Sequence, residues 1–481
     1  MLGVSGCRGI LGRSLTPEVA ARYAGAFGGW LRDRARQSGS LTHPVTVVLA
    51  RDGRAGGEVV RHAAVAGLIG AGCRVVDLGV AMTPTVGVMV DDLDAQGGLV
   101  LTASHNPQEW NGLKCIVRES PNAHGVGAAA PSAAQATQIV DRFRTGDIGL
   151  SAWNHVGSIE QDHDAAERHV EKVLGALGQI AYIGDIRRCR FRVAVDSVNA
   201  SGRVGAAALL DELGCEVAHL GDQTTGIFPH TPEPLRENLT ELAAAVLEHG
   251  ADVGFAQDPD ADRLALIDEK GAYIGEEYTL VLAASAVLGA QRGKTPGSDR
   301  ASVAVNLSTS RMIDDVAAAR NGVVLRTPVG EAHVVEAMRK NTSPIGGEGN
   351  GGVIWPAVTY IRDSLSSMAL TLALLAGAGH GKRVRLSELV AQTPAYSIEK
   401  RKVDLASKDL AKPAVEAIAR TYASEKVDRQ DGVRVDFAAR RAWLHVRASN
   451  TEPIMRLIAE APTATDARAI LDEAAKVIAK G

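Results

Sequence analysis

Three aspartates, Asp258, Asp260 and Asp262, alternate with other residues in ADVGFAQDPDADRLALIDE, positions 251 to 269. Carboxylates held this close repel one another, and hard oxygen ligands of this kind suit Mg²⁺, which keeps waters or substrate oxygens rather than being wholly caged by protein. The flanking apolar runs VGFA and LALI put the turn at a buried sheet edge, unlike a solvated acidic loop. An EF-hand is excluded, because Arg263 stands where that loop requires glycine.

A second segment, GGLVLTASHNP at 97 to 107, reads as an apolar strand ending in a polar turn, with Pro107 stopping the ladder. Ser104 is expected at an exposed strand end. Its neighbour His105 invites a hydrolase reading, but adjacent side chains of an extended segment point to opposite sides, so His105 is badly placed as its base. The G-x-S-x-G elbow is also missing. A third segment, PIGGEGNGGVIWP at 344 to 356, contains G-x-G-x-x-G without the preceding strand and following helix of a dinucleotide site. Its small residues bring Glu348 and Asn350 close to a polar ligand such as a sugar hydroxyl or an amine. In the fourth, HVRASNTEPIM at 445 to 455, Arg447, Ser449, Asn450 and Thr451 crowd one turn, where forked donors, hydroxyls and turn amides suit a phosphate.

These loops need a scaffold. Three strand, helix, strand patterns precede or frame them, starting at TVVLARDGR (46 to 54), RVAVDSVNASGR (192 to 203) and SVAVNLSTSR (302 to 311). The tail differs: VRVDFAARRAWLHVRASN and IMRLIAEAP read as antiparallel strands, followed by the helix ATDARAILDEAAKVIAK. The expected division is 1–155, 156–272, 273–388 and 389–481, with a hinge in 382 to 398. A chain of 481 residues is long enough for several cores. Its 52 Lys and Arg against 56 Asp and Glu leave a formal charge of −4, no global field for nucleic acid or anionic lipid. Five scattered cysteines without CxxC spacing, and no long apolar run, point to a soluble cytoplasmic protein with reduced thiols. A monomer or homodimer is expected.

The four loops, in this order, resemble the α-D-phosphohexomutase superfamily. TASHNP and DPDADR carry the resemblance as a pair, supported by SGCRG (5 to 9), RDGR (51 to 54), NGLK (111 to 114) and PEPLRENL (232 to 239). The resemblance implies an α/β fold of three similar mixed α/β domains plus a C-terminal TATA-binding-protein-like α+β domain around a central cleft. It implies a phosphorylated Ser104, a Mg²⁺ held by Asp258, Asp260, Asp262 and Ser104, and a reacting end lined by Arg8, Lys114 and Arg263. Ser104, Lys114, Arg8 and His105 are the expected catalytic residues. Glu348 and Asn350 would face the sugar, and Arg447, Ser449, Asn450 and Thr451 the phosphate not being transferred. A phosphoserine of about −1.5 to −2 beside three carboxylates, against +2 from the metal, leaves about −3 for these cations to balance. Lys114 is the expected general acid/base, its pKa depressed by burial among cations.

The implied cycle passes the phosphoryl group from Ser104 to a hexose phosphate, giving a bisphosphate that reorients and returns the other phosphate; a hexose bisphosphate is the primer. The sugar loop departs from the G-E-x-S-G-H of many bacterial relatives, with Asn350 at the Ser position and Gly352 at the His position. With VGEAHVV at 329 to 335 it resembles an archaeal-like branch containing phosphoglucosamine and phosphomannose mutases. Glucosamine phosphate is the preferred substrate, mannose or glucose phosphate the alternative. Outside the class stand a metal-dependent phosphatase and a non-catalytic sugar-phosphate binding protein.

Overall fold

The computed structural model describes residues 2–3, 6–39, 44–119, 127–290, 300–377, 383–448 and 454–480. Three successive sheets share one strand pattern. In the first, Thr46–Arg51 lies parallel between Arg74–Val80 and Gly97–Leu101, and the latter pairs antiparallel with Trp110–Glu119. The second places Arg192–Asp196 between Glu216–Leu220 and Val253–Gln257, with Leu264–Asp268 antiparallel at the edge. The third repeats this with Ser302–Asn306, Val323–Thr327, Ile345–Glu348 and Gly352–Ile354.

The strand, helix, strand repeat is therefore half of a larger unit, which ends in a hairpin. The three hairpin turns are the serine, aspartate and glycine-rich loops, each at the carboxyl end of a parallel strand. Each turn holds a residue in the left-handed region: Ser104 at φ 50°, Ala261 at 53° and Gly351 at 85°. The first sheet also takes Gly6–Ile10, antiparallel to the start of Trp110–Glu119, and Ser158–Gln161, parallel to Arg74–Asp77. That sheet thus reaches past residue 155, where the sequence places a boundary.

Helix Ser364–Leu375 explains how the second and third units join. It is buried along most of its length, its Ser and Thr hydroxyls hydrogen-bonded, and packs in one continuous core with Val173, Phe255, Leu280 and Leu386. Its first turn is capped by Asp363, which accepts from the backbone of Leu365 and Ser366. The expected hinge is partly helical: Leu386–Ala391 is a helix, anchored by Ser387 on Glu269, which leaves 392–396 between it and the fourth sheet.

The fourth sheet is antiparallel, in the order Ser397–Asp404, Ile454–Ala461, Ala442–Ala448, Val433–Phe437, Lys426–Asp428. Val435, Leu444 and Leu457 face helices Ala411–Thr421 and Ala464–Lys480. The alternate positions Arg434, His445 and Glu460 are buried against residues 307 to 311 of the third unit, through Arg434 to Leu307 O, Ser308 Oγ to His445 Nδ1 at 2.8 Å, and Arg311 N to Glu460 Oε1 at 3.0 Å.

Candidate active site

The serine turn is held by its backbone. Ser104 N donates to Thr102 Oγ1 at 2.8 Å, and Arg54, itself 1% exposed, donates to Ser104 O at 2.6 Å and Trp110 O at 2.5 Å while pairing with Asp52 at 2.8 Å. Arg8 donates to Asn106 Oδ1 at 3.0 Å from the neighbouring strand. Two expectations fail here. Ser104 is 2% exposed rather than at an open strand end, because the aspartate turn of the second unit covers it. His105 is not on the opposite side: the left-handed backbone at Ser104 breaks the extended alternation, and His105 Nδ1 lies 3.3 Å from Ser104 Oγ. Burial, with Arg263 and Arg8 nearby, pushes the His105 pKa down to about 3, so the ring is neutral at pH 7.

Ser104 Oγ donates to Asp258 Oδ2 at 2.8 Å. Asp260 Oδ2 accepts from Thr83 Oγ1 at 2.7 Å and Lys114 Nζ at 3.3 Å; Asp262 Oδ2 accepts from Lys114 Nζ at 2.7 Å and Arg362 Nη2 at 2.5 Å. The three carboxylates are fully buried, and one oxygen of each lies within 4.8 Å of the others. Asp260 Oδ1 and Asp262 Oδ1 are buried without a hydrogen-bond partner. Orphaned carboxylate oxygens carry a large desolvation cost, which a divalent cation would remove, so the donor set fits Mg²⁺. Burial raises the Asp258 pKa well above the carboxylate range, and Asp260 and Asp262 raise it further; burial also opposes ionisation of Asp262, but Arg362 and Lys114 pull it below that range.

Lys114 reverses another expectation. Burial acts to lower its pKa, but its immediate partners are Asp262 and Asp260 rather than cations, and their attraction leaves the ammonium more basic than usual. In this arrangement it is a counter-ion and donor, not a group poised near neutrality.

The strand end entering the glycine-rich turn brings Glu348 to the Arg362 guanidinium that also binds Asp262; it is 6% exposed, with Oε1 accepting from Asn306 Nδ2 at 2.9 Å and Oε2 from Arg362 Nη1 at 2.7 Å. Asn350 Oδ1 is buried without a partner. Arg263 donates its backbone N–H to Asp258 Oδ1 at 3.2 Å, and its side chain lies 3.8 Å from Asp262. Arg447 pairs with Asp431 at 3.3 Å on the fourth sheet; Ser449, Asn450 and Thr451 lie outside the described residues.

Arg54, Thr83, Asn306 and Arg362 are what sequence reasoning missed as site residues. RDGR pointed to Arg54 without a role; an Arg-Asp pair ahead of an apolar helix signals a cap at Asp363 but says nothing of where the preceding guanidinium reaches.

The chain matches the phosphoglucomutase/phosphomannomutase family models for alpha/beta/alpha domain I over residues 1–142, domain II over 167–271, domain III over 275–396 and the C-terminal domain over 400–477. It belongs to the phosphoglucomutase/phosphomannomutase family. As such it is a phosphohexomutase, an isomerase of the phosphotransferase kind. A phosphoglucomutase/phosphomannomutase of Thermococcus kodakarensis is 34% identical over 479 residues, covering 99% of this chain and 98% of that relative. A probable phosphoglucosamine mutase of Methanopyrus kandleri is 35% identical over 480 residues, covering 99% and 97%. Among solved structures, a phosphoglucomutase/phosphomannomutase family protein from Burkholderia thailandensis superposes with TM-score 0.80 at 26% identity, covering 100% of this phosphohexomutase and 99% of the other chain. Among the described residues no helix is long and apolar enough to cross a membrane.

Proposed function

We propose that this phosphohexomutase interconverts glucosamine 6-phosphate and glucosamine 1-phosphate, with Ser104 carrying the phosphoryl group. The observation that carries the reading is the contact of Ser104 Oγ with Asp258 Oδ2 at 2.8 Å beside two orphaned aspartate oxygens. Ser104 is the hydroxyl to be phosphorylated; Asp258, Asp260 and Asp262 would hold Mg²⁺ with it. The cation supplies charge neutralisation at the transferring group when bound. Arg54 and Thr102 fix the serine backbone, so the hydroxyl is presented without a reorganisation cost. Arg8, Arg263 and Lys114 surround it with positive charge where a phosphoryl group develops charge in transfer. Asn350 and Glu348 face the sugar, and Arg447 with Ser449, Asn450 and Thr451 takes the distal phosphate.

The choice of glucosamine follows the names of relatives such as the probable phosphoglucosamine mutase of Methanopyrus kandleri. Arg362 already pairs with Glu348, so an ammonium gains less from this carboxylate than from an unpaired one. Bisphosphate-primed assays with glucosamine, mannose and glucose 6-phosphates test the choice: the highest kcat/KM is expected for glucosamine, and faster turnover of mannose or glucose phosphate sinks it. Stoichiometric release of inorganic phosphate instead of isomerisation identifies a phosphatase. We also place the first domain boundary after Gln161 and the third before Ser397, where the sheets end and begin.

A further inference from the structure

Arg362 lies directly before the helix cap Asp363 and is 8% exposed. Its guanidinium is shared among three carboxylates: Nη2 donates to Asp262 at 2.5 Å, Nη1 to Glu348 at 2.7 Å, and Nε lies 3.4 Å from Glu331 Oε2. Asp262 belongs to the aspartate turn, and Glu348 ends the strand that enters the glycine-rich turn. Two turns from different sheets are therefore tied by one rigid, planar cation.

The backbone beneath it is Gly352. A Cβ there would stand 2.2 Å from Arg362 Cδ and 3.1 Å from its Cγ. The Arg362 side chain fills the volume above residue 352, so glycine at 352 and arginine at 362 form a reciprocal pair: a larger residue at one position displaces the other. Gly352 is the position at which the sequence resemblance leads one to expect histidine, and the steric conflict supplies the physical reason for its absence here.

We propose that Arg362 is a positioning residue that couples occupation of the aspartate turn by a divalent cation to occupation of the glycine-rich turn by sugar phosphate. With Lys114 it engages Oδ2 of Asp262 and leaves Oδ1 as the buried oxygen without a hydrogen-bond partner, with Arg263 Nε 3.8 Å away, the one available to a cation. On its other branch it engages Oε2 of Glu348, while Asn306 holds Oε1, which sets the plane of that carboxylate toward the ligand. A planar fork cannot shift at one carboxylate without moving at the other, so each ligand changes the affinity for the other by the same factor. Among the described residues the ion pairs of Lys114 are to Asp260 and Asp262, both on the aspartate turn, so it does not join that turn to Glu348. The inference rests on the proposed reading of Asp258, Asp260 and Asp262 as cation ligands and of Glu348 as a sugar contact.

The test is Mn²⁺ titration of the full chain by calorimetry, with and without glucosamine 6-phosphate, in a Ser104→Ala background that prevents transfer. In that background the sugar phosphate is expected to tighten Mn²⁺ binding by about fivefold or more. Arg362→Lys keeps the charge and loses the fork; Gly352→Ala keeps Arg362 and pushes it aside. Both are expected to weaken Mn²⁺ by about tenfold and to reduce the enhancement by sugar phosphate to less than about twofold, with the thermal unfolding transition retained. Gly352→Ala carries the test alone if Arg362→Lys does not fold. Unchanged Mn²⁺ affinity and enhancement in either folded variant overturns the coupling. Because Ser104 is itself a proposed ligand, the native chain is titrated as well, without sugar phosphate: absence of Mn²⁺ binding there overturns both the cation reading and the coupling, whereas binding that is indifferent to both variants overturns the coupling alone.

Discussion

Ser104 Oγ and Asp258 Oδ2 lie 2.8 Å apart although 154 residues separate them. The hydrogen bond joins the hairpin turns of two different sheets, so the site exists only when the first and second units are docked. Ser104→Ala is expected to lower mutase activity by ~10³-fold or more, because among the described residues no other hydroxyl donates to Asp258. Intact-mass measurement after incubation with hexose bisphosphate should show one added phosphoryl group on the native chain and none on the variant; label on the variant refutes the assignment.

The aspartate turn makes a prediction in which two signs differ. Asp258 is buried beside two carboxylates that oppose its ionisation. Asp258→Asn therefore relieves repulsion and is expected to match or exceed the native chain in thermal midpoint without divalent cation. Saturating Mg²⁺ at about 100 times its Kd should stabilise the native chain by about 2.7 kcal/mol, EDTA should reverse this, and the variant should gain far less. Equal stabilisation of both proteins refutes the cation site.

Arg54 and Asp52 form a buried pair at 2.8 Å that also supports the carbonyls of Ser104 and Trp110. Arg54→Met leaves Asp52 buried and uncompensated, a loss of about 3–5 kcal/mol. Pairing it with Asp52→Asn should recover part of the stability but not the activity, since the serine turn still lacks its clamp. Denaturant midpoints and kcat of the single and double variants check this.

His445 links the fourth sheet to the third unit: its Nδ1 faces Ser308 Oγ at 2.8 Å and its Nε2 the Asp431 carbonyl at 2.7 Å, with Arg434, Arg447 and Asp431 the charged groups around it. Burial pushes its pKa down to about 4. An unfolded histidine titrates near ~6.5, so the folded chain binds fewer protons between these values. The contribution of His445 is thus complete above the unfolded pKa and lost as pH falls towards 4, by up to about 3 kcal/mol. The difference in thermal midpoint between native and His445→Gln proteins should shrink from pH 7.5 to 4.5; a constant difference counts against it.

How much of this was legible in the sequence depends on range. Periodicity shows the strand, helix and second strand of each unit, because alternation and helical spacing are local. The hairpins that complete the units were not read as part of the repeat, since their turns differ in length and composition: eight residues from Thr102 to Glu109, three from Gly349 to Gly351. The expected placement of His105 failed for a local reason that composition does not reveal, a left-handed serine. The expected depression of Lys114 failed for a distant one, because its carboxylate partners come from another sheet.

By itself the sequence determined the family through TASHNP and DPDADR, the three α/β units and different tail, and the residue types able to carry phosphate, metal and sugar. Tertiary structure decided which groups meet: the serine against Asp258, Lys114 between two aspartates, Arg54 under the serine, Arg362 over Gly352. The division has one physical cause. Strand and helix patterns are written in neighbouring residues, whereas burial, charge pairing and the volume left above a glycine are set by side chains brought together from far apart in the chain.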